Sequence, residues 1–133
     1  MAVELSYTRT VELLREAVAE KPEGYIYINP QGETADVDKY GLSLTSCDYF
    51  DPETGEPSCI VGQVLAAVGV SKGHFYGYEG STALAVLDYL DSKNILTASH
   101  KAAKVLAKAQ FAQDRGTPWA EAVENAIKET ELL

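Results

Sequence analysis

The stretch Ser58-Cys-Ile-Val-Gly-Gln-Val-Leu-Ala-Ala-Val-Gly69 decides how this chain folds. Turned by about 100° per residue, it puts Cys59, Gly62, Gln63 and Ala66 on one narrow side, while Ile60, Val61, Val64, Leu65, Ala67 and Val68 cover the rest. A helix apolar almost all round belongs at the centre of a fold. Its small side lets a neighbouring backbone come close, with Cys59 as a small buried hydrophobe. Ser58 reads as the N-cap and Gly69 as the stop.

Working outward, helical periodicity dominates. In TRTVELLREAVAEKPEG, Val11, Leu14 and Val18 form an apolar stripe that Lys21, Pro22 and Gly24 bring to an end. YIYIN alternates Tyr25 and Tyr27 with Ile26 and Ile28, and Asn29-Pro30-Gln31-Gly32 reads as a turn, so a strand is expected. Its partners are sought in residues 33–37 or in LSLTSCDYF, which gives a hairpin or a three-stranded sheet. A helix starting at Ser81 aligns Ala83, Leu87 and Leu90. The next has Thr97 as its cap and Ala98, Ala102, Val105, Leu106 and Ala109 on one face. Gly116 ends it, and Thr117-Pro118 reads as a cap plus a proline at the first position of the last helix, lined by Trp119, Val123, Ala126 and Ile127. The fold class predicted is α+β: an α-rich single domain over 1–133, with an N-terminal helix and small antiparallel sheet followed by a helical bundle.

Composition bounds the function. A chain of 133 residues can bury a core without metal or disulfides. Its formal charge of −9 speaks against generic binding to nucleic acid or anionic lipid. The N-terminal segment lacks a basic stretch followed by an apolar run, and nothing reaches membrane-spanning length. With two cysteines, Cys47 and Cys59, a reduced protein in the cytoplasm is expected.

Cys59 at a helix N-terminus is where a reactive thiolate would be stabilised. His74, in SKGHFYGYEG, and His100, in TASHKAAK, have no spacing that makes either its base, and no paired Cys or His spacing suggests a metal. DVDKYG imitates the start of a calcium loop, but the twelfth position holds Cys47 where a bidentate glutamate is needed. GHFYGYEG lacks both the phosphate-loop lysine and GxGxxG. No catalytic residue, cofactor or metal is therefore assigned.

Two surfaces remain. Residues 33–56 hold seven acids against Lys39, a net −6 within an acidic loop at about 30–57. From it Asp48, Asp51 and Glu53 are the candidate contacts. The helix following Thr97 is basic, with Lys101, Lys104, Lys108 and Arg115. Phe111 lies nearly opposite its apolar face, beside Lys104 and His100, so another segment or a partner has to cover it. The N-terminal helix is the expected cover. His100, Lys104, Lys108 and Phe111 form the second candidate surface.

Together, YIYINPQGETAD, PSCIVGQVLAAVGVS, YEGSTALAVL and AQFAQDRGTPWAEAVENA resemble a group of small uncharacterised proteins of actinobacteria and their bacteriophages, over about Tyr25–Ala126. That resemblance carries over no catalytic residue. It implies a phage or prophage protein working in the host cytoplasm. The function expected is a small acidic protein-binding or regulatory module acting on a host protein, with self-association left open. The alternatives are an acidic decoy of nucleic acid and an enzyme using Cys59.

Overall fold

The computed structural model describes residues 2–27, 36–37, 43–44, 49–51, 54–75 and 82–132. A short strand, β1 (Val3–Leu5), leads through Ser6 into α1 (Tyr7–Ala19). Two-residue strands β2 (Asp36–Val37) and β3 (Ser43–Leu44) follow, then α2 (Ile60–Ala67), a 3-10 turn over Lys72–Phe75, and α3 (Ala83–Ser92). The chain continues with β4 (Leu96–Ala98), α4 (His100–Asp114) and α5 (Trp119–Glu131). Helix-rich α+β is therefore the architecture at the coarse level.

The sheets differ from the sequence reading. β1 pairs with β4 in parallel, Val3 opposite Leu96 and Leu5 opposite Ala98. β2 and β3 form a separate antiparallel ladder, Asp36 opposite Leu44. Val3–Leu5 is too short for its alternation to separate strand from helix, which is how it went unread. Each parallel strand runs into a helix through one serine. Ser6 Oγ accepts from the Arg9 N–H at 3.2 Å and Ser99 Oγ from the Ala102 N–H at 3.1 Å. Thr97, expected as the α4 cap, lies inside β4 instead.

YIYIN is not a strand over Tyr25–Tyr27; Ile28 and Asn29 fall outside the described residues. Both tyrosines of the alternation face Trp119: Tyr25 meets its ring edge-on at 4.8 Å between centroids and Tyr27 stacks at 6.5 Å. The Trp119 N–H donates to the Tyr25 carbonyl at 2.9 Å. This corrects the start of α5. Pro118, not Thr117, is the N-cap; proline has no side-chain acceptor, so an orphan donor of the first turn is satisfied by a distant backbone. Gly116, at φ 88°, makes the left-handed turn between α4 and α5.

α2 sits at the centre as its composition demands, with Ile60, Val61, Val64 and Leu65 fully buried. α1 buries Thr10, Leu13, Leu14 and Ala17 and packs against α2, α4 and α5. The close approach read from the small side of α2 is present: a Cβ on Gly62 would collide with the Tyr49 carbonyl oxygen and lie 2.8 Å from its carbon. The helix begins one residue later than expected, with Cys59 at the N-cap and its Sγ accepting from the Gly62 N–H at 3.4 Å. The Ser58 N–H donates to the Tyr49 carbonyl at 2.9 Å. Ser81, the expected start of α3, lies outside the described residues, and Thr82 is the cap.

Candidate functional site

Cys59 is fully buried and disulfide-bonded, which corrects the reading of it as a reduced, merely packed thiol. The chain's other cysteine is Cys47, outside the described residues. In this state Cys59 has no thiolate to act as a nucleophile. Nor are the histidines arranged as bases: His74 Nδ1 accepts from the Ser71 N–H at 3.0 Å within its own turn, and His100 is exposed at the front of α4.

Beside Cys59 lies a buried polar cluster that the sequence did not announce. Gln113 Oε1 accepts from the Ile60 N–H at 2.8 Å and from Trp119 Nε1–H at 3.1 Å. Its Nε2 donates to Asp114 Oδ1 at 2.9 Å. Gln110 Nε2 donates to the Tyr49 hydroxyl at 2.7 Å. One glutamine on α4 thus ties down the N-terminus of α2 and the anchor of α5. Burial raises the Tyr49 hydroxyl well above the ordinary tyrosine range. Burial also pushes Asp114 up to about 6, against the opposing hydrogen bond from Gln113. Gln110 and Gln113 were hidden because their type favours surfaces and their period coincides with the apolar face of α4. These groups hydrogen-bond with one another and with the backbone inside the fold, which is the mark of a structural network.

The open feature lies on the opposite side of the terminal hairpin. Phe111 is 64% exposed, so the expected cover by the N-terminal helix is absent, although α1 packs against α2, α4 and α5. Phe111 borders a groove of about 670 Å³ between α4 and α5. Ala107, Ala112, Ala122 and Ala126 contribute its apolar lining. On the α4 side stand Lys108 and Arg115, the latter with its guanidinium carbon 5.2 Å from the Phe111 ring centre. On the α5 side stand Glu121 and Glu129, and Lys108 Nζ reaches Glu129 Oε2 at 3.4 Å.

The groove brings together Lys108 and Phe111 of the expected surface; His100 and Lys104 do not line it. Arg115 and the acids of α5 complete it, and the turn at Gly116 is the sequence signal that puts them opposite one another. Of the expected acidic contacts, Asp51 is a turn residue: its carboxylate accepts from the Thr54 N–H at 3.4 Å, and its backbone N–H donates to the Glu56 carbonyl at 2.8 Å. Asp48 and Glu53 lie outside the described residues. Among the described residues no group of three or more His, Cys, Asp or Glu side chains gathers as a metal set, and no helix is long and apolar enough to cross a membrane. Comparison with known proteins finds no matching family model, no matching curated protein and no matching solved structure.

Proposed function

We propose that this chain is a protein-binding module whose contact face is the α4–α5 groove. The observation that carries the reading is Phe111, a large aromatic ring left in water on the rim of an alanine-lined groove with charged edges. Buried, such a ring supplies the anchor that dominates many interfaces, and the charges around it set orientation. The resemblance to actinobacterial and phage proteins supports a phage- or prophage-encoded regulator acting on a host protein. The disulfide at Cys59 weighs on location: it favours an oxidising environment over the reducing cytoplasm that composition suggested. The basic rim of α4 weighs against the decoy reading, since a nucleic-acid mimic needs an unbroken acidic face.

The test is retention of host proteins on the immobilised chain, comparing the parent with Phe111→Ala and with Leu84→Ala. Leu84 is also an exposed apolar side chain, on α3 away from the groove. Loss of a retained protein in Phe111→Ala alone supports the reading. An unchanged retained set in Phe111→Ala removes the groove as the contact face.

A further inference from the structure

The geometry points to a second copy of this chain as an occupant of the groove, an inference that rests on the groove being a contact face. The two rims carry opposite charge, Lys108 on α4 and Arg115 at its C-cap against Glu121 and Glu129 on α5. Lys108 and Glu129 stand at the same height along the groove, because they already touch across it at 3.4 Å. A twofold axis running along the groove lays α4 of each copy over α5 of the other. Lys108 of one copy then meets Glu129 of the other, and each basic rim faces an acidic one. A twofold axis across the groove would set like charges together, so the pattern selects one arrangement.

Shape agrees with charge. Lys104, Lys108, Phe111 and Arg115 recur at four- and three-residue steps along one edge of α4, and Glu121, Asn125 and Glu129 recur every four residues along α5. Two helical hairpins meeting on such faces form a four-helix layer. The small alanine side chains of the groove leave room for the partner's Phe111, now largely in solvent, and the Lys108–Glu129 pair becomes part of a four-charge network across the axis.

The experiment is sedimentation of the full chain over a concentration series, with two charge-reversed variants. One is Lys108→Glu with Arg115→Glu; the other is Glu121→Lys with Glu129→Lys. In the first both rims are acidic and in the second both are basic, so each repels itself and suits the other. The parent is expected to rise towards twice the chain mass of 14.4 kDa. Each variant alone is expected to stay at the single-chain mass, and an equal mixture to recover the dimer. Phe111→Ala, which removes an exposed side chain and leaves the core intact, is expected to weaken association about tenfold or more. A parent that remains monomeric up to about 1 mM overturns the inference. So does a parent dimer that Phe111→Ala leaves unchanged, or one formed equally well by each charge-reversed variant alone. Each of these three results leaves the retention experiment with host proteins to decide the broader reading independently.

Discussion

At Gly62 the absence of a side chain lets the Tyr49 carbonyl lie against the start of the central helix. The obstacle is backbone, held by the Ser58 N–H at 2.9 Å, so it cannot swing aside as a flexible side chain would. Gly62→Ala is expected to destabilise the fold by about 3 kcal/mol, at the upper end of overpacking costs, although alanine is the better helix former. A urea midpoint equal to that of the parent would disprove the contact. Gln113 presents the converse case, where a side chain cannot be removed. Gln113→Leu keeps much of the volume but strands the Ile60 N–H and the Trp119 indole N–H, both buried. The expected loss is about 2–5 kcal/mol, from two orphaned donors. Trp119→Phe should cost less than Trp119→Ala, for which about 3–5 kcal/mol is expected, because the ring contacts with Tyr25 and Tyr27 survive in part. Comparison of the three melting curves ranks these contributions.

At the scale of elements, α2 was legible because it is apolar nearly all round, and periodicity revealed the α4–α5 hairpin because its apolar pattern repeats for two turns or more. It failed for β1 and β4, whose three-residue length leaves no period to detect. It also failed for Tyr25–Tyr27, where a strand-like alternation serves a tertiary contact with Trp119. Phe111 was legible as an odd apolar residue on a basic helix; that α1 would leave it bare depends on packing between elements, which no local pattern encodes. The end of α4 shows a similar dependence. Asp114 occupies its last helical position, where a negative charge opposes the helix dipole, and burial raises its carboxyl from an ordinary 3.8 to about 6. Well below 3.8, at about pH 3 and under, the group is protonated in both folded and unfolded chains and contributes no pH dependence. Between 3.8 and about 6 the unfolded chain ionises first, so stability falls as pH rises and the loss is complete above the folded value. Asp114→Asn keeps an acceptor for Gln113 and removes the charge. It is expected to stabilise the protein at pH 8 by roughly 1 kcal/mol, after allowance for solvent screening, and to match the parent at about pH 3. Melting curves at the two pH values check this, and an Asn variant less stable at pH 8 would reverse the assignment.

For the molecule as a whole, the largest departure from the sequence reading is the state of Cys59. Two cysteines in an acidic chain gave no spacing that demanded a bridge, and a helix front of small residues was explained by packing alone. Packing is indeed present, since Cys59 is fully buried and caps α2 through its sulfur, but the bridge adds a constraint on the unfolded chain that no contact in the fold replaces. The exchange Cys59→Ala therefore costs more than the roughly 1 kcal/mol of a small packing defect. About 2–4 kcal/mol is expected, and reduction of the parent should produce a similar loss while the helical signal persists below the lowered melting point. Because burial shields the sulfur, reduction under native conditions should be slow and should accelerate in denaturant, following the opening of the fold. Thiol titration provides the check: the unreduced protein, fully unfolded, should show no reactive thiol, and the reduced and unfolded protein should show two. Two thiols in the unreduced sample would establish the dithiol state, return Cys59 to the role of a packed N-cap, and remove the argument for an oxidising environment.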